Sequence, residues 1–202
     1  TVGSVASGHE TLFALPASHT MSQHMVAYQA MALFKALRFD INQYDLLKTL
    51  CEIEGLHRPV RRTEKRVLKE GHKSIKHQMK GPKSKLTIQK PSEKAFVLLQ
   101  MAIGRIHLED FSLRQEMSSM ADFLSRMLSA LEEYSVRSTK HGIIVLESLR
   151  LRRSLATCLW TASDDVLTQL KGMGSATALN LRFAGIKTFE DVRNSTEEEI
   201  QV

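Results

Sequence analysis

Apolar residues recur three and four positions apart over most of the chain, and no segment alternates apolar and polar positions as a half-buried β-strand does. Helical spacing runs from Met21 to Leu37 and again from Gln43 to Glu54. A third, basic segment from Thr63 to Glu70 has the same spacing. Gly55 and Gly71 follow the second and third segments, where helices commonly end. The pattern therefore predicts an all-α fold that begins with three helices.

The middle of the chain is more strongly apolar and predicts a helical bundle. A helix is predicted from Ala95 to Ile103, with Ser92 as its N-cap. A long helix starts near Ser112, and its apolar residues step by three and four as far as Tyr134. The methionines among them are interpreted as core residues. A further helix, from about Lys140 to Trp160, is apolar in its first half and basic in its second.

Composition divides the chain into three parts. Residues 1–18 are rich in Gly, Ser and Ala and predict a tail or linker. Residues 19–162 predict the helical bundle, with a basic insert at 57–90. Residues 163–202 carry short amphipathic segments and predict a second, small unit. The chain starts at Thr1 without the pattern of a signal peptide, which favours a piece of a longer polypeptide.

Positive charge is concentrated in the basic insert. The whole chain has a net charge of +6, but the segment from His57 to Lys90 holds twelve Lys or Arg and two acids. Such a local excess favours a polyanionic partner, and the alternative is a solvated, flexible linker. Because the segment contains no Phe, Tyr or Trp, its contacts are expected to go to phosphates and not to bases. The predicted phosphate contacts are Arg58, Arg61, Arg62, Lys65, Arg66 and Lys69.

Two closely spaced glycines mark the small unit. Gly172 and Gly174 stand between apolar segments, with Ala178 following, in an arrangement that resembles a helix-hairpin-helix. Glycines there allow a tight turn and a close approach to a phosphate, and a side chain at Gly174 is expected to strain a positive-φ turn. The segment from Ala184 to Val192 is interpreted as a second, mostly structural half, and a purely structural connector is the alternative for the whole hairpin. Charge or hydroxyl contacts to a phosphate would come from Lys171, Ser175 and Thr177.

No catalytic or cofactor motif is present. The sequence has no phosphate-binding loop, no helicase DExH box and no nucleophile elbow. His72 and His77 lack a third metal ligand nearby, so no metal site is expected. Cys51 and Cys158 fit reduced, buried thiols. No window approaches the roughly 20 apolar residues of a membrane-spanning helix, and no membrane is expected as a partner.

Several of these stretches resemble one known module, the C-terminal helical bundle of the Ski-like superfamily-two helicases. That module is shared with a translocon subunit and is followed by a helix-hairpin-helix. The resemblance covers about Met21 to Gln201 and is strongest in one stretch, which begins at Lys94 and continues through a Leu-Leu-Gln triplet. The matching stretches are Arg61–Leu68, Lys94–Gln115, Leu159–Trp160, Gln169–Gly174 and Ala184–Phe189.

The resemblance implies a role in a larger enzyme. The residues of these motifs most resemble those of the meiotic crossover DNA helicases. This resemblance implies an ATP-dependent 3′–5′ DNA helicase of the nucleus that acts in meiotic recombination. ATP and Mg²⁺ would be bound by RecA-like motor domains of the same polypeptide, which with a winged helix precede this module. Single-stranded or branched DNA is then the expected partner. A spliceosomal-type RNA helicase and a non-catalytic protein-interaction scaffold remain alternatives, because phosphate contacts do not distinguish DNA from RNA.

Overall fold

The described part of the chain is helical, and no strand occurs in it, which confirms the all-α class. Predictions that concern the tail, three lysines (80, 83 and 85) and the acidic stretch at 197–199 lie outside the described residues. The computed structural model describes residues 19–21, 28–79, 88–139, 141–161, 163 and 166–196. The helices are α1 (Tyr28–Ala36), α2 (Gln43–Leu50), α3 (Lys65–Ser74), α4 (Pro91–Ile103), α5 (Phe111–Tyr134), α6 (Gly142–Thr157), α7 (Ser175–Phe183) and α8 (Phe189–Asn194).

Helix α4 lies at the centre of the bundle and contacts α3, α5 and α6. Its apolar residues are buried on nearly every side, and Val97, Leu98 and Leu99 are fully enclosed. Complete burial of such side chains stabilises the fold by about 1.5–3 kcal/mol each. Two polar residues of α4, Lys94 and Gln100, are equally buried, so the core must supply partners for them.

The long helix α5 confirms the apolar stripe predicted for it. Asp110 caps its start by accepting a hydrogen bond from the Leu113 backbone amide at 2.9 Å. The methionines of this helix lie in or against the core. The buried members of the stripe are Leu113, Met120, Leu124, Met127, Leu131 and Tyr134.

Both glycines that were predicted to end helices do something else, and that prediction is wrong. Helix α2 ends at Leu50, and Gly55 lies inside a 3₁₀ turn, where a Cβ would overlap the ring of Phe123. Gly71 lies within α3 and is buried against Met101. In each case the absent side chain makes room for a residue distant in the sequence.

The start of α4 also differs from its prediction. Ser92 is not the N-cap but a buried residue of the first turn, and the N-cap is Lys90. Pro91 takes the first helical position, where its missing N–H costs nothing. Glu93 reaches back, and its Oε2 accepts hydrogen bonds from the backbone amides of Gln89 at 2.8 Å and Lys90 at 3.0 Å.

Helix α6 buries its small residues and exposes part of its apolar half. Ser148 and Ser154 are enclosed against the bundle, which lets neighbouring helices pack close. Ile143, Leu146 and Leu149 are exposed instead. The apolar first half predicted for this helix is thus only partly core.

A second, smaller core lies in the C-terminal part of the chain. Leu167, Ala178, Leu181 and Ile186 are buried together, apart from the bundle core that ends with Trp160. Both cysteines are free; Cys51 is buried, which raises the pKa of its thiol, and Cys158 is half-buried. Among the described helices, none has the length and apolar character needed to cross a membrane.

The packing of Gly55 can be tested by adding one methyl group. Gly55→Ala is expected to lower the free energy of unfolding by about 1–3 kcal/mol, because the new Cβ overlaps Phe123. Gly142→Ala is the control, since no atom lies within 4 Å of a Cβ there. Urea unfolding measures both, and equal stabilities for the two variants would contradict this account of Gly55.

Candidate nucleic-acid interface

Five exposed cations form a stripe along one face of α3 and the turn before it. Leu68, on the opposite face of the helix, is fully buried. At 1.5 Å per residue the stripe is about 16 Å long. Among the described residues, Glu70 is the one acid that pairs with a cation of the stripe, Arg66, at 3.2 Å. The attraction within such an exposed ion pair is weak, so the stripe keeps most of its positive charge. The members of this α3 stripe are Arg62, Lys65, Arg66, Lys69 and Lys73.

A buried ion cluster fixes the chain at the start of the stripe. The Lys94 side chain is 0% exposed, and its Nζ lies 2.7 Å from Glu64 Oε2 and 2.6 Å from Glu116 Oε2. The same ammonium donates a hydrogen bond to the Pro59 carbonyl oxygen at 3.1 Å. Arg61 contacts the other oxygens of both carboxylates, each at 3.1 Å. Two cations and two anions therefore neutralise one another between α3, α4 and α5.

The two predicted phosphate contacts of the basic insert that lie outside the stripe are engaged within the protein. Arg61 is half-exposed, but its guanidinium is paired with the ion cluster and donates to Ser112 Oγ at 2.9 Å. Arg58 donates to the carbonyl oxygens of His57 at 2.8 Å and Gly55 at 3.3 Å. The other four predicted cations of the basic insert lie together on the α3 stripe, so this part of the insert is folded and is not a flexible linker.

The two glycines of the hairpin differ in what the fold requires of them. Gly172 has φ +86°, a conformation that favours glycine. Gly174 is the N-cap of α7 with φ −78° and ψ 165°, so the expected positive φ at this residue is wrong. A Cβ at Gly174 would meet nothing within 4 Å. Neither backbone conformation nor packing therefore demands a glycine at position 174.

The start of α7 has no side-chain cap, whereas the start of α8 is capped by its own side chains. Gly174 offers α7 no side-chain cap, and Lys171 and Thr177 are exposed beside it; Ser175 is the first residue of α7. At α8, Asp191 Oδ2 accepts hydrogen bonds from the backbone amides of Lys187 at 2.9 Å and Thr188 at 2.8 Å.

Those hydrogen bonds lower the pKa of the Asp191 carboxyl, so a negative charge stays at that helix end. The charge would repel a phosphate from α8. The start of α7, with Gly172 and Gly174 before it, therefore remains the candidate phosphate contact.

An exposed aromatic residue beside the stripe was not predicted. Phe111 is 70% exposed at the start of α5, and the Arg114 guanidinium carbon lies 5.9 Å from its ring centroid. The adjacent Ser112 is the residue that Arg61 contacts. An aromatic face paired with an arginine can stack on a nucleic-acid base. This exposure was not predictable from the sequence, because a Phe at a helix start is usually a core residue.

The hairpin and the stripe share no residue. The hairpin unit contacts the bundle near the end of α6, where Arg153 donates to Gln169 Oε1 at 3.2 Å. Within the described ranges, no three His, Cys, Asp or Glu side chains converge where a metal ion could bind.

The family model of the Sec63 Brl domain matches residues 14–202 of the chain. The chain belongs to the Sec63 Brl domain family. A rice protein called ATP-dependent DNA helicase MER3 homolog is 30% identical over 191 residues, which cover 90% of this chain and 16% of that protein. The Arabidopsis thaliana homolog of MER3 is 30% identical over 183 residues, which cover 84% of this chain and 16% of that protein.

A Xenopus tropicalis protein called probable ATP-dependent DNA helicase HFM1 is 23% identical over 190 residues, which cover 90% of this chain and 14% of that protein. The Brl domain thus spans about a sixth of the length of the curated relatives it matches. The resemblance inferred from the sequence motifs is confirmed.

The motif residues of the Brl domain explain part of that resemblance. Arg61 and Glu64, from the basic motif, meet Lys94, the first residue of the strongest motif, in the ion cluster. Glu116, which completes the cluster, lies one residue beyond that motif. Much of the recognisable pattern is therefore a requirement of folding.

The ion cluster can be tested by removing its central charge. In the Brl domain, Lys94→Met is expected to lower the free energy of unfolding by about 3–5 kcal/mol, because Glu64 and Glu116 lose the cation they share. Arg62→Gln, on the exposed stripe, is expected to change it by less than about 0.5 kcal/mol. Unfolding in urea at neutral pH compares the two, and an equally small loss for both would refute the structural role of Lys94.

Proposed function

We propose that this Brl domain is the C-terminal accessory region of an ATP-dependent 3′–5′ DNA helicase that acts in meiotic recombination in the nucleus. Within that enzyme the domain binds single-stranded or branched nucleic acid through its phosphates. The names of the relatives and the resemblance to the meiotic crossover helicases support the enzyme class. The observation that carries the binding role is the α3 stripe, with five cations on one solvent-exposed face.

The ATPase chemistry belongs to other parts of the proposed enzyme. No phosphate-binding loop or DExH box occurs in this sequence, so its residues do not fit ATP or Mg²⁺. RecA-like motor domains of the same polypeptide would bind both, and a winged helix would connect them to this domain. The Brl domain would hold the strand on which the motor acts.

The charges of the domain are arranged for such a contact. In the ion cluster each cation is compensated by a carboxylate, so the cluster fixes the chain without adding to the external field. The stripe is largely uncompensated, and its cations would displace counterions from a strand. This contact is independent of base sequence and does not discriminate DNA from RNA.

The hairpin supplies a second contact in this proposal. A phosphate oxygen would accept hydrogen bonds from backbone amides at the start of α7, with Lys171 nearby. The absence of a side chain at Gly174, which the fold itself does not require, supports this role.

A protein-interaction scaffold is the second candidate function. The exposed Ile143, Leu146 and Leu149 on α6 favour it, since adjacent exposed apolar residues commonly mark a protein contact. The two functions are compatible, because α6 and the stripe use different residues.

The stripe can be tested through the salt dependence of binding. With about five phosphate contacts, the plot of log K against log salt for single-stranded DNA is expected to have a slope of about −3.5. Lys65→Gln with Lys69→Gln should reduce the slope by about 1.4, because each contact contributes about 0.7. The matched control is Lys35→Gln with Lys48→Gln, which removes the same charge from exposed positions on α1 and α2. Equal slopes for both pairs of variants would refute the stripe.

The hairpin can be tested with a substitution that suits the fold. Gly174→Ser is expected to leave the free energy of unfolding unchanged to within about 0.5 kcal/mol, because serine is a good N-cap. The serine hydroxyl would accept a hydrogen bond from a backbone amide at the start of α7 and so compete with a phosphate for that donor. The binding free energy for DNA and for RNA should therefore weaken by about 1 kcal/mol. Fluorescence anisotropy and urea unfolding give the two values. Unchanged affinity for both nucleic acids would make the hairpin a structural connector.

A further inference from the structure

A groove of about 710 Å³ lies between the start of α2 and the chain that follows α3. Residues 42–45 form one wall, and residues 76–78 form the other. The volume is in the range of sites that bind small molecules. The groove begins three residues after Lys73, the last cation of the α3 stripe, so the two features are adjacent along the chain.

Buried hydrogen bonds hold the wall formed by residues 76–78. The fully buried Gln100 side chain accepts from the His77 amide and donates to the His77 carbonyl oxygen, both at 2.9 Å. His72 Nε2 accepts from the Met79 amide at 2.8 Å. The wall is therefore fixed by the core and does not need a ligand to order it.

The wall formed by α2 is equally fixed. Asn42 Oδ1 accepts from the Asp45 amide at 2.9 Å and caps the helix. Gln43 Nε2 donates to Thr161 Oγ1 at 3.1 Å, which ties the helix start to the end of the bundle. Both walls thus keep their positions relative to each other.

Two aromatic rings line the groove, and two more support them from behind. Tyr44 and His77 have ring centroids 5.5 Å apart. Phe96 meets Tyr44 edge-on at 5.6 Å, and Trp160 meets His77 edge-on at 4.9 Å. Burial, and then the charge of Lys76, lower the pKa of His77, so its ring is uncharged at neutral pH.

The groove is charged differently at its two sides. Lys76 is exposed, and its Nζ lies 5.6 Å from the centroid of the Trp160 ring. Asp45, on the α2 wall, carries a carboxylate that repels phosphate. A bound nucleotide would therefore place its phosphate toward Lys76 and its base toward α2.

We propose that this groove accepts one unstacked nucleobase of a single strand, against Tyr44 and His77, with the adjoining phosphate on Lys76. The inference rests on the proposed function, because the strand is the one that the α3 stripe holds. From the sequence, the basic insert was expected to contact phosphates alone. The proposal adds a base contact, because the fold brings Tyr44 and Trp160 from other segments to the insert.

The test compares a ten-residue oligothymidylate with an abasic phosphodiester of the same length and charge. The oligothymidylate is expected to bind about fivefold or more tightly, because stacking on an aromatic side chain adds affinity for each base engaged. Trp160 is the one tryptophan of the chain, so its emission reports on the groove. The emission should change with oligothymidylate and not with the abasic strand.

Substitutions separate the base contact from the phosphate contact. Tyr44→Leu keeps an apolar side chain and is expected to remove the preference for oligothymidylate, while abasic binding stays the same. Lys76→Gln, at an exposed position, should weaken binding of both strands. Tyr28→Leu is the matched control, because Tyr28 is 77% exposed on α1 and outside the groove.

The outcomes distinguish this inference from the proposed function. Equal affinity for both strands with unchanged Trp160 emission overturns the groove and leaves the stripe in place. No binding of either strand at low salt overturns both proposals. Thymidine monophosphate that binds as tightly as the oligomer overturns the assignment to a strand. If Tyr44→Leu fails to fold, the affinities of the unsubstituted chain and of Lys76→Gln for the two strands still test the proposal.

Discussion

The buried ammonium of Lys94 is the constraint on which the rest of the structure depends. A cation that is fully enclosed must have anionic partners, and Glu64 and Glu116 supply them from two other parts of the chain. Because Glu64 stands one residue before α3, this requirement fixes the start of the basic stripe on the bundle. A sequence segment with an excess of positive charge, which in water would remain extended and mobile, thereby becomes a helix with one apolar and one cationic face.

The features that the sequence predicted are local ones. The stripe of α5 was predictable because its buried residues repeat at helical spacing within one segment. The features that it missed depend on distant residues: Gly55 makes room for Phe123, and Gly71 makes room for Met101. The pairing of Arg61 with Glu116 and the position of Tyr44 beside His77 likewise join residues more than thirty positions apart. No pattern within a short window contains that information.

Buried and exposed charges have different surroundings in this molecule. The buried ions neutralise one another, and their pairing specifies how α3, α4 and α5 pack together. The exposed cations of the stripe have little compensation and contribute little to folding. Charge changes on the stripe are therefore expected to alter the proposed binding without altering stability, whereas charge changes in the cluster are expected to lower stability. This separation is what makes a binding role for the stripe experimentally accessible.

Helix α4 controls both ends of the basic segment. Lys94 binds Glu64 at the start of the stripe, and Gln100 binds the backbone of His77 after it. The two side chains are six residues apart on one helix, about 9 Å along its axis. Gly71, which lies between Glu64 and His77 in the sequence, packs against Met101, the neighbour of Gln100. The stripe proposed to bind phosphates and the groove proposed to accept a base are thus held in a fixed relation by one rigid core helix. Because bases in a duplex are stacked and paired, a duplex would first have to flip one base out to fill the proposed groove, whereas a single strand can present phosphates to the stripe and an unstacked base to the groove together.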